Sequence, residues 1–534
     1  MQLKYIALEA GIIGMIVLLV NGLNYKIRNL SSDHYFHMNL IRGIKMNRHR
    51  FLMKYPNFIG AKTLGSPQFF HWLFSFINLR NIPRVVFFYK CLIFFLDLLF
   101  FFFFFKAGFI AYSSTLSPFA FFFFAALLYI FTPFNFVKWN ASNTGLSPRS
   151  MGVLLGRVFV YLFLLYTGSH SLLYYGVLIG VVFLIILTSQ FAFQYVLFFC
   201  LIYSAFAWDI RIGLVPVAGF LLFYMVNPAG CLLYLRCQYQ HKKIYATHFA
   251  KRFILQYRPS IWRDLVYDFW VRIRKEKWAA LPYIQTNALV TFCWGFTIMP
   301  LVLITSAKTY WSGTLSLTAF IAGSPLLQVL LISFGIMLLT SFAFTRFLGE
   351  PERYLEFATP AIIFLFIKSV GSIVVYYAIF YYVLASVSLI LVNKWYDKKN
   401  ARASGNILLK LDEKDGSGNS LKGKLNELEQ SKGGLRLFSN NEEITRRLLY
   451  MQDSNFLIPD IAAAKTGSFF YKDIFNERYP VINENLLVPM IKEFDINIFV
   501  IDTSVLSQPY DDLMNGLSFK PVFTFENFVL LVKE

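Results

Sequence analysis

The sequence predicts an all-α polytopic membrane protein that carries a small α/β soluble domain at its carboxyl end. Apolar residues make up 57% of the 534 residues and charged residues only 15%, whereas soluble domains average roughly 45–50% and about 25%. Several apolar stretches reach the roughly 20 residues that a helix needs to cross a bilayer. Only near the carboxyl end do polar segments enclose short apolar runs of strand type. This composition excludes the soluble globular, fibrous, disordered and disulfide-rich classes.

The apolar stretches predict about 11 transmembrane helices. The first stretch covers Ile6 to Leu23; it has no small-residue cleavage site and carries Glu9, so we interpret it as a retained anchor. The others begin near Val85, Pro118, Met151, Ser171, Phe191, Ile212, Ala288, Leu326, Thr359 and Gly371. Together they predict a transmembrane domain over residues 1–392.

Two hydrophilic segments interrupt this apolar pattern. Residues 24–84 predict a first outer loop with ten basic residues and one acidic residue, Asp33. Residues 238–285 predict a basic loop whose Trp and Tyr residues are typical of amphipathic helices on a membrane surface; a solvated connector is the alternative. Residues 1–392 hold 32 Lys and Arg against 10 Asp and Glu, a net charge of +22. Because such basic segments meet anionic lipids, we expect membrane lipids as partners and no nucleic acid.

The composition changes after the last apolar stretch. Residues 393–435 are rich in Lys, Gly, Ser and Asn, and they predict a flexible linker. Residues 436–534 predict a small soluble α/β domain. Its apolar run Ile496 to Ile501 indicates a strand, and the runs Val522 to Phe525 and Phe528 to Val532 predict a hairpin.

Asp33 is the first candidate for chemistry, because it stands alone among the basic residues of the outer loop. A helix that starts here would place Asp33 and His37 on one face. A carboxylate beside cationic groups stays ionised and could accept a proton from a hydroxyl, although a simple helix cap fits equally well. Asp33, His34 and His37 could also hold a divalent cation. A His pair at this spacing is common, so we expect no required metal and no cofactor.

Further candidates lie in and next to the apolar stretches. Asp97 lies within a span, where an ionised group is costly and usually functional; a neutral Asp97 bonded to a neighbouring helix is an equal alternative. Arg149 opens the fourth span, and Glu352-Arg353-Tyr354 precedes a late one. Guanidinium groups match phosphate oxygens, so Arg149 and Arg353 could bind a lipid phosphate. Anchoring at the membrane interface is the alternative, and the local pattern slightly favours it.

Together these motifs resemble the GT-C superfamily of membrane glycosyltransferases that use polyprenyl-phosphate sugars. The resemblance rests on Asp33-His34 in the first loop, on the Pro-containing stretch from Tyr55 to Trp72, and on Glu352-Arg353-Tyr354. It implies inverting transfer of a sugar from a polyprenyl-phosphate donor to a glycan or lipid-linked acceptor, with Asp33 as the general base. The residues predicted to be catalytic are Asp33 and His34, and those predicted to bind substrate or phosphate are His37, Arg149, Glu352, Arg353 and Tyr354.

The resemblance also implies a location in a bacterial inner or plasma membrane, with the active face on the non-cytoplasmic side. An amino terminus inside the cell would place residues 24–84, 238–285 and the carboxyl-terminal domain outside. The positive-inside rule predicts the opposite orientation. We discount the rule here because the first basic segment is at the length where the rule weakens, and because the superfamily binds anionic lipid carriers on that face.

Two other classes of protein remain open from the sequence. One is a transporter, flippase or polymerase for polyprenyl-linked glycans, in which Asp97 would couple transport to ions. Transport predicts polar residues at mid-membrane depth in several spans, whereas the sequence has mainly Asp97 and Lys368 there. The other is a non-catalytic membrane scaffold, whose polar clusters would not converge in space.

Overall fold

The computed structural model of the chain divides into two compact units. It describes residues 32–55, 57–59, 65, 67–78, 82–109, 118–136, 145–248, 288–312, 323–403, 420–449, 454–459, 465–476, 480–513, 517–525 and 527–534, together with residues 14, 16, 274 and 275. The first unit comprises Met1–Asn29, Asn78–Pro228 and Arg258–Tyr396, and the second comprises Leu30–Ile77, Ala229–Tyr257 and Asp397–Glu534.

The first unit is built from apolar helices. They are Ile82–Phe109, Pro118–Ile130, Arg149–Ser169, Leu172–Thr188, Gln190–Ala207, Ile210–Val226, Ala288–Gly295, Ile298–Trp311, Pro325–Thr340, Thr359–Ser369 and Ser372–Ala403. Four segments among the described residues are long and apolar enough to cross a bilayer: Val85–Phe103, Arg149–Ser169, Gln190–Ala207 and Ser372–Trp395. Their length and composition are those of an integral membrane protein.

The predicted span positions agree with the helices better than the predicted span number does. Each apolar stretch after the first coincides with one helix, except that the stretch beginning near Ala288 contains two short helices. Several helices are shorter than a bilayer crossing needs; Thr359–Ser369, for example, has 11 residues. The described helices supply four clear spans, so the predicted number of 11 is not confirmed. The predicted anchor over residues 6–23 lies almost wholly outside the described residues.

Two glycines allow the helix Arg149–Ser169 to approach its neighbours closely. A methyl group on Gly156 would overlap the ring of Phe357, and one on Gly152 would overlap the side chain of Ser189. Small residues are typical of such contacts between membrane helices. The amino-terminal half of this helix therefore packs directly against Ser189, which caps the next helix but one, and against a buried 3-10 helix, Pro351–Ala358.

The second unit contains a five-stranded mixed sheet and a separate pair of short strands. The sheet has the order β2-β1-β5-β7-β6, with β1 Arg436–Ser439, β2 Asn455–Phe456, β5 Ile498–Asp502, β6 Phe519–Phe525 and β7 Phe528–Lys533. Strands β2, β1 and β5 are parallel, and β7 is antiparallel to β5 and β6. The short pair is β3 Lys465–Thr466 with β4 Phe469–Phe470. The predicted strand corresponds to β5, and the predicted hairpin corresponds to β6 and β7.

Helices pack on both faces of this sheet. The helices of the unit are Ser32–Met46, Phe69–Ser75, Pro228–Ile244, Leu421–Lys432, Glu442–Leu448, Tyr471–Ile474, Glu484–Glu493 and Tyr510–Leu513. Alternate residues of β5 enter opposite cores: Phe499 lies in one core, and Ile498 and Val500 lie in the other. This is the period-2 pattern of a strand buried on both sides.

One helix of this unit falls inside the predicted linker. The segment Leu421–Lys432 is helical, and Leu421 and Leu425 are buried in the same core as Ile498. The prediction of a flexible linker over all of residues 393–435 is therefore too broad, because these leucines at i and i+4 attach the helix to the domain. Residues 404–419 lie outside the described residues.

Candidate functional site

Two of the predicted phosphate-binding residues, Arg149 and Arg353, line one cleft in the first unit. The full lining is Arg149, Val153, Ser189, Phe191, Ala192, Arg353, Glu356 and Phe357. These residues come from three elements: the helices Arg149–Ser169 and Gln190–Ala207, and the 3-10 helix Pro351–Ala358. The cleft thus combines two guanidinium groups and one carboxyl group with an aromatic wall.

Both long helices begin at this cleft. The hydroxyl of Ser147 accepts a hydrogen bond from the backbone N–H of Arg149 (3.2 Å) just before the first helix. Ser189 caps the second helix by accepting from the N–H of Ala192 (3.4 Å). The amino-terminal end of a helix carries a partial positive charge and exposes N–H groups. The cleft therefore favours an anion even before its arginine side chains are counted.

The 3-10 helix Pro351–Ala358 places the predicted motif Glu352-Arg353-Tyr354, and all eight of its residues are buried. The guanidinium of Arg353 forms an ion pair with Glu350 (2.8 Å). The ring of Tyr354 packs against Phe191 (4.8 Å between centroids), and its hydroxyl donates to the carbonyl of Leu348 (3.1 Å). Tyr354 therefore fixes the segment in place, while Arg353 reaches the cleft.

Arg157 connects this segment to the membrane helices. Pro360 has no N–H with which to reach the carbonyl of Glu356 four residues earlier, and Arg157 Nε donates to that carbonyl (2.9 Å). The same guanidinium pairs with Asp97 and with the hydroxyl of Tyr129, and Tyr129 also bonds Asp97. Asp97 is thus ion-paired and hydrogen-bonded to two neighbouring helices.

Glu356 is a site residue that the sequence did not single out. Burial raises the pKa of Glu356 to about 7, while the positive charges of Arg353 and Arg157 lower the pKa and the carboxylates of Glu352 and Glu350 raise it. The carboxyl group therefore gains and loses a proton near neutral pH. Its only signal in the sequence is its position three residues after Arg353, in a domain with few acidic residues.

The remaining predicted residues lie in the second unit, on the helix Ser32–Met46. Asp33 is the second residue of this helix, and its side chain lies outside the described residues. His34 is buried. His37 Nδ1 lies 2.9 Å from His71 Nε2, a hydrogen bond between two imidazoles. The helix places Asp33 and His37 four residues apart, on one face, as the sequence predicts.

His71 is the second residue that sequence reasoning did not assign to the site. Burial lowers the pKa of His71 well below its usual value, the charge of His37 lowers it further, and the backbone of Pro67 acts in the opposite sense. His71 is therefore neutral near pH 7. Among the described side chains, no group of three or more His, Cys, Asp or Glu is placed to hold a metal ion. The signal that the sequence offered for His71 is its position as a polar residue inside the apolar run Phe69–Ser75.

The chain matches no protein-family model and no curated protein sequence. Among solved proteins, the chain is similar to two structures of the archaeal oligosaccharyltransferase AglB from Archaeoglobus fulgidus. One, with an inhibitory peptide and a dolichol-phosphate, is 13% identical with a TM-score of 0.42; the other, tethered to an acceptor peptide, is 14% identical with a TM-score of 0.49. Each similarity covers 92% of this chain and 69% of the other.

Proposed function

We propose that the protein is a membrane glycosyltransferase that moves a sugar from a polyprenyl-phosphate donor to a glycan or lipid-linked acceptor. The reaction would take place on the non-cytoplasmic face of a bacterial inner or plasma membrane. The observation that carries the proposal is the cleft in which Arg149 and Arg353 meet two helix amino termini. That combination binds phosphate groups through charge and through N–H donors.

The cleft suits a phosphate that leaves during the reaction. When the bond between the anomeric carbon and the phosphate oxygen breaks, negative charge grows on that oxygen. Arg149 and Arg353 are already positioned to stabilise the growing charge, so they lower the energy of the transition state more than that of the bound donor. Glu356 would be neutral when the anion is bound, because an ionised carboxylate there would repel phosphate.

Asp33 would act on the acceptor. Its carboxylate takes the proton of the acceptor hydroxyl while the hydroxyl oxygen attacks the anomeric carbon. The new glycosidic bond forms as the bond to phosphate breaks on the opposite face of the sugar, which inverts the configuration. The proton ends on Asp33 and the electron pair on the phosphate, which balances the step; the proposal includes no required metal and no cofactor.

Binding of the donor is tested first, with the full chain in lipid nanodiscs. The probe is dodecyl methyl phosphate, a phosphodiester with one permanent charge. We expect Arg149→Ala and Arg353→Ala each to weaken its binding about 10- to 100-fold, because a hydrogen bond to a charged group contributes about 1.5–3 kcal/mol. Arg211→Ala is the matched control, since Arg211 is exposed and pairs with Asp209 (2.9 Å). Wild-type affinity in both cleft variants would remove the proposed phosphate site.

Transfer is tested with a panel of undecaprenyl-phosphate-linked hexoses and pentoses and a membrane glycolipid acceptor. The wild-type chain should release undecaprenyl phosphate and glycosylate the acceptor with at least one donor. Asp33→Asn should abolish this release while donor binding stays intact. Turnover by Asp33→Asn at the wild-type rate would contradict the mechanism, and movement of the intact donor between leaflets without release would indicate a flippase.

A further inference from the structure

We infer that the carboxyl-terminal domain holds the Asp33 helix in its working position, with Phe36 and Phe58 as the positioning residues. The inference rests on the proposed function, because it takes Asp33 as the catalytic base. It gives the carboxyl-terminal domain a role in the reaction. The contacts that support it all lie within the second unit.

The first of these contacts extends the domain's sheet with a piece of the outer loop. Phe58 pairs with Phe456 as a parallel bridge on the edge strand β2. The N–H of Ile59 donates to the carbonyl of Phe456 (2.9 Å), and the N–H of Phe456 donates to the carbonyl of Asn57 (2.8 Å). The edge of a sheet offers unpaired donors and acceptors, and here the outer loop takes them up.

The side chains of the loop enter both cores of the domain. Phe36 and Phe58 pack against the core that contains Ile498, whereas Ile59 is buried in the opposite core with Phe499. Neighbouring residues that face opposite sides are typical of an extended segment paired at a sheet edge. The outer loop is therefore built into the sheet instead of resting on its surface.

Phe36 links this anchor to the helix that carries Asp33. Its ring lies against Tyr55 (5.4 Å) and Phe58 (6.3 Å), and the rings of Tyr55 and Phe58 stack (4.8 Å). The helix Ser32–Met46 also packs along the helix Glu442–Leu448 of the domain. Phe36 lies three residues after Asp33, within one helical turn. Less than one turn of helix therefore joins the packed Phe36 ring to the backbone of Asp33.

A second anchor stiffens the other end of the same helix. The side chain of Gln68 bonds both the N–H and the carbonyl of Leu52 (2.7 Å each). Trp72 Nε1 donates to the carbonyl of His49 (3.0 Å), and His49 Nδ1 lies 2.7 Å from the hydroxyl of Ser75. None of these bonds involves Phe36, so they remain in a Phe36→Ala variant. We therefore expect Phe36→Ala to loosen the end of the helix that carries Asp33 and to leave its other end attached.

The experiment is Phe36→Ala in the full chain, assayed with the donor that proves active in the panel. We expect kcat to fall on the order of 100-fold, the loss associated with a displacement of about 1 Å. The donor KM and the binding of dodecyl methyl phosphate should not change. Phe36→Leu should restore most of kcat, because it refills the core without an aromatic ring. Phe470→Ala is the control, since Phe470 is 48% exposed in the same unit.

Hydrogen exchange supplies a readout that does not depend on enzymatic activity, and it is applied to a variant in which Phe36 itself is intact. In Phe58→Ala, amides of residues 32–40 should exchange about tenfold faster than in the wild type, while residues 149–169 keep their protection. Unchanged exchange, or unchanged kcat in Phe36→Ala, would overturn the inference and leave the proposed function standing. Faster exchange together with an active Asp33→Asn would show that the domain holds the helix but that the proposed base is wrong.

Discussion

The titration of Glu356 predicts that anion binding in the cleft depends on pH. Burial raises the pKa of this carboxyl to about 7. Below that pH the group is neutral, and the cleft presents Arg149 and Arg353 without the charge of Glu356. Above it the carboxylate repels a phosphodiester. We therefore expect affinity to fall as pH rises through 7, and Glu356→Gln, which is neutral at every pH, to abolish the dependence.

The size of the effect follows from the neutral fraction of Glu356. With a pKa of about 7, that fraction is about 0.9 at pH 6 and about 0.1 at pH 8. If only the neutral form binds, the apparent dissociation constant rises about tenfold over this interval. Glu356→Gln should keep the affinity that the wild type has at pH 6.

The assay is titration calorimetry of the full chain in nanodiscs with dodecyl methyl phosphate. This probe keeps one negative charge between pH 6 and pH 8, so any dependence belongs to the protein. Asp209→Asn is the matched control, because Arg211 lowers the pKa of Asp209 and keeps it ionised throughout this range. A wild-type affinity that does not change with pH, or an equal change in Glu356→Gln, would refute the reasoning.

Three further predictions concern stability, measured by thermal unfolding in detergent. Arg157→Met should destabilise the protein by about 3–5 kcal/mol, because it leaves Asp97 buried without its ion pair; adding Asp97→Leu should recover much of this loss. Gly156→Val should cost about 1–3 kcal/mol by overpacking, whereas Gly168→Ala, which meets no atom within 4 Å, should not destabilise. Leu425→Ala should lower the free energy of unfolding by about 2–5 kcal/mol, as for a buried leucine. A negligible loss of stability would instead support the prediction that residues 421–432 are part of the flexible linker.

The positions of the membrane helices could be predicted from the sequence, because an apolar run of sufficient length has few alternatives to a buried or lipid-facing helix. Their number as true spans could not, since length alone does not separate a short crossing from a buried helix. The helix Leu421–Lys432 shows the same difficulty in reverse. Its polar composition hid the leucines that attach it to the domain.

The candidate site depends on contacts between residues that are far apart in the chain. The sequence nominated Arg149 and Arg353 separately, but only the fold brings them to one cleft. The pKa of Glu356 depends on its burial and on Arg157, and neither can be read from neighbouring residues. His71 likewise gains its meaning from His37, 34 residues earlier. The chemistry of individual residues is local, whereas their combination is set by packing.

The winding of the segment Pro351–Ala358 determines where Arg353 points. A 3-10 helix rises about 2.0 Å and turns about 120° per residue, against about 1.5 Å and 100° in an α-helix. Over the six residues from Thr359 back to Arg353, rewinding to an α-helix would retract the guanidinium by about 3 Å and swing it by about 120°. A change in the pitch of this segment, without any hinge, would thus remove the Arg353 guanidinium from the cleft.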